Sequence, residues 1–336
     1  MLYIDNIYGK VEITEPLLLD LISSDAMQRI KGIAQHGITA LLGITPPFTR
    51  FDHCVGTMLL VRSLGADIRE QVGALLHDIS HTAFSHVIDF VFDDHNGQSY
   101  HEKKKIEFVS STDIPTIMHR HNLDWRQFMD EDQFSLLEQP SPALCADRLD
   151  YFFRDLEYLK LANRAEIRNA LKALQVTDER IVVNNIDVAR WLAYTFIETD
   201  RASWSSFREV GLYQLTAEAI KAANKFGLIT EDDLWGSDEA LWQKLTSADH
   251  SEVRQWLEMI TPGTRFIWDD ASPLFRIATK IRSINPLVST NNAVKVLSEL
   301  DETFRQYRKE YMSEKQGLWP MSVISAFAGQ VYTNAL

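Results

Sequence analysis

Leu75-Leu76-His77-Asp78-Ile79-Ser80-His81-Thr82-Ala83-Phe84-Ser85-His86 decides how this chain is read. An apolar helical run ends in a segment that holds three histidines and an aspartate within ten residues. Adjacent His77 and Asp78 cannot share one helix face, but both can reach one ion at a helix end, where the backbone relaxes. Imidazole with carboxylate is a mixed N/O donor set suited to Fe, Mn, Zn or Ni more than to Ca. A lone histidine here would be a satisfied polar terminus. At this density that reading loses, because buried imidazoles and carboxylates without partners are costly.

Working outward, two further ligands are needed. Upstream, Arg50-Phe51-Asp52-His53 precedes the apolar helix Val55–Leu64 and places His53 like a ligand at a helix start. Downstream, Ala146-Asp147-Arg148-Leu149-Asp150-Tyr151-Phe152-Phe153-Arg154-Asp155 reads as an acidic and aromatic helix. Asp147, Tyr151 and Asp155 recur every four residues and share one face. That face could offer a carboxylate to a metal and a phenol to a ligand. Equally, Tyr151 could be half-buried packing and Asp155 a salt-bridge partner of Arg154 or Arg148.

Around this segment the chain reads as mostly helical. The first stretch, LYIDNIYGKVEIT, alternates about Tyr8-Gly9-Lys10 and suggests a β-hairpin. Short helices follow, then a loop over 39–52 marked by Gly43, Pro46 and Pro47. Helices are expected at about 53–65, 68–79, 83–94, 100–110, 114–121, 133–138, 142–161, 164–174 and 187–225, the last broken near Ser205. Asp178–Asn185 reads as a small hairpin, and Leu274–Ile284 as a strand. We expect a core carrying these residues over 1–175, a helical extension completing the site over 176–260, and an α+β C-terminal portion over 261–336.

Composition bounds the partners. With 34 Lys+Arg against 47 Asp+Glu the net charge is −13, which disfavours a nucleic-acid polymer. The run Lys103-Lys104-Lys105 reads as a solvated helix face. Cys54 and Cys145 match no zinc spacing and read as small core residues. The opening residues lack an apolar signal core, and no run approaches the ~20 apolar residues of a membrane span. The expected setting is cytoplasmic, without a membrane partner. Apolar helices such as Trp191–Ile197 read as core before dimer surface, so a homo-oligomer stays open. Trp191, Trp204, Trp235 and Trp242 are expected to pack the helical half.

The order His53 … His77-Asp78 … Asp147 resembles the H…HD…D signature of the HD superfamily, a mainly α fold. Four blocks resemble its deoxynucleoside triphosphate triphosphohydrolase branch in particular: MQRIKGIAQHG, RFDHCVGT, HDISHTAFSH and ADRLDYFFRD. The resemblance spans about residues 1–160 and thins beyond. It implies a divalent metal (Mn, Fe, Mg, Ni or Zn) held by His53, His77, Asp78 and Asp147. It implies contacts to a small phosphoester, a nucleotide, from Arg50, Gln35, Tyr151, Asp155 and Tyr213. It assigns His81 to phosphate contact, His86 with Asp89 to proton transfer, and His101 to the active site. Ser80, Thr82 and Ala83 replace the branch's Gly, Gly and Pro. The arginine that grips the triphosphate there has no counterpart at its place; Arg201 and Arg208 are near, at the wrong spacing. No regulatory nucleotide site is recognisable.

The chemistry follows from charge. A divalent cation neutralises a phosphoester and lowers the pKa of a bound water. Arg50 would fork onto phosphate oxygens. His86, held by Asp89 and titrating near the usual ~6.5, would protonate the leaving oxygen. The expected reaction converts a (deoxy)nucleoside triphosphate to nucleoside and triphosphate. A phosphomonoesterase and a non-catalytic nucleotide or metal sensor are the alternatives.

Overall fold

The computed structural model describes residues 1–93, 97–290, 293–324 and 331–332. The architecture is mainly α with small sheets, as the periodicity implies. The central helix, Arg50–Ser63, is buried along nearly its whole length. It packs against Ile68–Leu76 and Ala146–Tyr158. It starts three residues before the expected position because Thr49 and Asp52 close a reciprocal cap. The Thr49 side chain accepts from the Asp52 amide, and the Asp52 carboxylate accepts from the Thr49 amide (2.9 Å). That T-x-x-D signal was present in the sequence. Its consequence is that Arg50 and His53 lie one turn apart on one helix face.

The apolar residues divide into two cores. One surrounds the central helix and includes Leu59, Leu75, Phe152 and Phe196. The other surrounds Phe207–Lys225 and includes Phe84, Phe90, Leu212 and Met321. The helix Ile186–Ala202 buries Leu192, Ala193, Phe196 and Ile197 in the first, so its apolar stretch is core.

Among the described residues three small sheets complete the fold. Leu2–Asp5 pairs antiparallel with Gly9–Glu12, the expected N-terminal hairpin. Leu174–Thr177 pairs with Arg180–Val183 around the turn at Asp178 and Glu179. Leu287–Ser289 then joins that hairpin in parallel and Val294–Val296 closes the sheet. In the third sheet Trp319–Ile324 pairs with Arg265–Trp268, Phe275–Ile277 and Val331–Tyr332. Among the described residues no helix is long and apolar enough to cross a membrane.

Other local expectations fail as well. Residues 133–138 form no helix; only a 3-10 turn over Glu131–Gln133 is present. The strand expected over Leu274–Ile284 stops at Ile277, and coil follows. The helix expected over 83–94 shrinks to Val87–Val91, because Phe84 and Ser85 adopt left-handed φ of 60° and 51°. Lys105 is also not on a solvated face: it is buried and paired with Glu131.

Candidate functional site

The helix Ile68–Leu76 ends at His77, so His77 and Asp78 lie in a loosening turn and both reach inward. His53 enters from the first turn of the central helix, and Asp147 from the first turn of Ala146–Tyr158. The four side chains converge. His53 Nε2 lies 2.9 Å from Asp147 Oδ1 and 3.7 Å from Asp78 Oδ2. His77 Nε2 lies 3.5 Å from Asp147 Oδ1 and 3.7 Å from Asp78 Oδ2.

The tautomers decide what this cluster suits. His53 Nδ1 is 2.7 Å from Asp150 Oδ2, and His77 Nδ1 is 2.8 Å from the Ala74 carbonyl. Both partners only accept, so both Nδ1 atoms carry protons. The two Nε2 atoms face each other, 3.1 Å apart, beside the Asp78 and Asp147 carboxylates, and are the ring atoms turned to the cluster's centre. Burial disfavours both imidazolium forms, yet hydrogen bonds to Asp147 and Asp150 raise the pKa of His53, and Asp78 raises that of His77. Protons on Nε2 thus sit where a divalent cation would take the lone pairs, and such a cation displaces them. Burial works against ionising Asp78, yet Arg50 and then His81 and His77 hold it well below the usual carboxylate range. Burial opposes ionisation of Asp147 as well, and hydrogen bonds from His53 and His77 overcome it. Deprotonated carboxylates and Nε2 lone pairs are the forms a divalent metal takes.

A wider arrangement fixes the first histidine. Asp150 accepts from His53, from Arg154 Nε (2.8 Å) and from the Tyr8 hydroxyl (2.8 Å), and Arg154 reaches on to Asp5 (2.9 Å). Gly56 makes the room: a Cβ there would lie 2.2 Å from Asp150 Oδ1 and 2.0 Å from Arg154 Nη2. Neither Asp150 nor Tyr8 was singled out in the sequence.

Two other donor groups lie nearby, and both suit a cation less well. His81 and His101 stack at 3.8 Å and 19°, so their in-plane lone pairs run alongside rather than converge. In the group of Glu138, Cys145 and Asp147, burial pushes the Cys145 thiol up, away from thiolate.

The cluster opens onto a cavity of about 350 Å³ whose walls include Gln35, Arg50, His81, His86, His101 and Tyr151. The structure thus brings these expected residues together. Arg50 is buried, donating to Asp78 Oδ2 (2.5 Å) and Ser85 Oγ (3.1 Å). His86 Nδ1 donates to Asp89 Oδ2 at 3.0 Å, and Asp89 Oδ1 accepts from the Tyr100 amide. His86 does not keep its ordinary pKa. Burial, then the charges of Arg50, Arg282 and Lys280, push it well down, so it is neutral at pH 7. Burial and Arg50 likewise push His81 down to about 3.

The loop carrying these histidines is held in strain. Two consecutive left-handed non-glycine residues cost about 1–2 kcal/mol each. Phe84 donates its amide to Asp238 Oδ1 (2.7 Å), Ala83 to the Leu234 carbonyl, and Ser85 Oγ to the Ala34 carbonyl. Ser80, a departure from the family pattern, donates to the His101 carbonyl (3.0 Å). Gly37 lies against the loop, with φ of +49°; a Cβ there would fall 2.3 Å from the Phe84 carbonyl oxygen.

Asp155 and Tyr213 line a second recess of about 60 Å³ beside Tyr151. Asp155 bonds neither Arg154 nor Arg148. It accepts from His36 Nε2 (2.8 Å) and from Trp204 Nε1 (2.6 Å). His36 Nδ1 meets Glu209 at 3.1 Å, and the Tyr213 hydroxyl donates to the His36 carbonyl. Burial disfavours the imidazolium, but Asp155 and Glu209 raise its pKa to about 10. Trp204, expected only to pack, therefore walls the recess. Arg201 and Arg208 reach neither cavity: Arg201 sits over Tyr311 and Arg208 donates to the Pro262 carbonyl. Lys280 and Arg282 line the main cavity instead. No motif marks them, since they arrive on coil.

Residues 50–155 match the HD domain model. The chain is 38% identical over 289 residues to the metal-dependent phosphohydrolase cns2 of Cordyceps militaris, covering 84% of this chain and 83% of that one. It is 23% identical to the deoxynucleoside triphosphate triphosphohydrolase SAMHD1 homolog of Dictyostelium discoideum, over 53% of this chain and 40% of that protein. A solved phosphohydrolase of Bacteroides thetaiotaomicron shares the fold, with a TM-score of 0.62 at 16% identity over 96% of this chain and 98% of that one. With the paired Nε2 atoms and their carboxylates lying inside the matched segment, the chain belongs to the HD-domain metal-dependent phosphohydrolases.

Proposed function

We propose that His53, His77, Asp78 and Asp147 hold one divalent metal and that the cavity beside them hydrolyses a nucleotide phosphoester. The substrate we infer is a (deoxy)nucleoside triphosphate, released as nucleoside and triphosphate. One observation carries the metal assignment: the Nε2 atoms of His53 and His77 face each other at 3.1 Å between the Asp78 and Asp147 carboxylates. A cation there supplies charge neutralisation and a more acidic water. The nucleotide is supported by the four sequence blocks, by the distant triphosphohydrolase relative and by a cavity of about 350 Å³, within the size range of small-molecule sites.

The chain's own residues divide the remaining work. Arg50 holds Asp78 ionised and turns its guanidinium to the cavity wall. His86 is oriented by Asp89, which takes Nδ1 and leaves Nε2 as the atom that gains or loses a proton. An incoming phosphate offsets the cations that depress His86, restoring it as the proton donor to the leaving oxygen. His81 stays neutral and offers a hydrogen bond, not a charge.

One observation favours the phosphomonoesterase reading. The recess beside Tyr151 is small, about 60 Å³ against about 350 Å³ for the main cavity, and a charged His36 lines it. A small hydroxylated leaving group fits that space better than a nucleobase. Product analysis separates the readings. Metal-loaded protein is incubated with dNTPs, NTPs, nucleoside monophosphates and simple phosphomonoesters. Nucleoside with tripolyphosphate is the expected product. Orthophosphate from monophosphates would establish the monoesterase, and no turnover of any ester would defeat both.

A further inference from the structure

Four cationic side chains line the main cavity, and two of them are neutralised by carboxylates. Arg50 pairs with Asp78, and Arg148 turns inward to Glu138 and the Gln139 and Ala143 carbonyls. Lys280 and Arg282 differ. The Arg282 guanidinium donates to the Lys280 carbonyl (3.1 Å) and to Gln98 Oε1. Among the described residues no carboxylate lies within ion-pairing distance of either side chain, although Glu102 lines the same cavity. In a chain with 47 acidic residues and a net charge of −13, two adjacent cations left unpaired mark a place where an anion is expected from outside.

The segment that carries them is pinned. It runs between the strands Phe275–Ile277 and Leu287–Ser289. The Arg282 amide donates to Asp200 Oδ2 (3.0 Å), Arg308 Nε donates to Ser283 Oγ (2.9 Å), and the Asn285 amide donates to the Pro142 carbonyl (2.8 Å). Cations on a fixed backbone bind an anion with little ordering cost. Arg282 presents a planar fork and Lys280 a compact charge, a pairing suited to phosphoryl oxygens.

We propose that Lys280 and Arg282 grip a second, uncleaved phosphoryl group of the substrate, while the end of the cavity at His53, His77, Asp78 and Asp147 takes the scissile one. This rests on the phosphohydrolase reading of that end and specifies a polyphosphorylated substrate. It also makes the grip a contribution of the C-terminal coil, far outside the HD segment in sequence.

The test is titration calorimetry of wild type and Lys280→Ala/Arg282→Ala with orthophosphate and tripolyphosphate, Mn²⁺ being in equal excess in cell and syringe. Wild type is expected to prefer tripolyphosphate. The double variant is expected to lose about ten- to a hundredfold in tripolyphosphate affinity, with orthophosphate binding unchanged and Lys280→Arg close to wild type. Equal affinity of wild type for the two anions, or a preference that survives in the double variant, overturns the proposal. Should the double variant not fold, Lys280→Ala alone carries the test, because its side chain is exposed. The phosphohydrolase reading fails separately: it falls if metal-loaded wild type cleaves no phosphoester, whatever the calorimetry shows.

Discussion

Asp150→Asn removes one charge from behind the proposed metal site and leaves its shape nearly unchanged. Asp150 is fully buried and accepts from His53 Nδ1 (2.7 Å), Arg154 (2.8 Å) and Tyr8 (2.8 Å). Its charge makes the His53 ring a stronger donor at Nε2 and fixes the tautomer. An asparagine oxygen can still accept from His53, but without the charge. Loss of an outer-shell carboxylate of this kind costs about 10- to 100-fold in metal affinity, or about 1.4–2.8 kcal/mol. Stability should suffer less than the ~3–5 kcal/mol of a broken buried ion pair, because Arg154 keeps Asp5 at 2.9 Å. The assay is Mn²⁺ content after dialysis against graded chelator, with thermal melts to verify folding. The variant should stay folded and release Mn²⁺ at a tenfold or greater lower chelator excess. A folded variant that holds Mn²⁺ within twofold of wild type would refute the assignment of Asp150 as the partner of a metal-binding histidine.

Further outcomes follow from the same geometry. His86→Ala should lower kcat by about 10²–10⁴-fold with metal content unchanged; equal metal loss would make His86 a ligand or a structural residue. His36 has a folded pKa of about 10, above the ~6.5 of an unfolded chain. Its stabilisation is therefore complete below pH ~6.5 and lost as pH rises towards 10. Urea midpoints measured across that window should fall in wild type and fall less in His36→Gln, and parallel profiles would remove the imidazolium from the account. Gly37→Ala should destabilise by about 2 kcal/mol or more, from the left-handed backbone and the 2.3 Å approach to the Phe84 carbonyl; an unchanged urea midpoint would contradict the strained-loop geometry.

How much of this was legible in the sequence depended on whether local spacing could express it. His77 and Asp78 were readable because a helix end is a local event and metal donors are a restricted alphabet. His53 and Asp147 were readable as companions only because each also sits at a helix start. The capping box Thr49–Asp52 is equally local, and it sets the first turn that carries Arg50. Phe84 and Ser85 broke an expected helix through left-handed backbone angles, which long-range bonds to Asp238 and Ala34 sustain. The state of His36 depends on Asp155 and Glu209, 119 and 173 residues away. Lys280 and Arg282 reach the cavity on aperiodic coil, so no pattern announces them. Under the proposal above, the phosphoryl grip that no arginine near Tyr213 provides comes from Lys280 and Arg282. The tripolyphosphate titration tests that relocation.

The central claim is a single metal between His53, His77, Asp78 and Asp147. An anomalous difference map from a Mn²⁺-soaked crystal tests it most directly. One strong peak is expected between His53 Nε2 and His77 Nε2, within coordination distance of Asp78 and Asp147. A peak among His81, His86 and His101 instead, or no peak while the protein still cleaves a phosphoester, would contradict it.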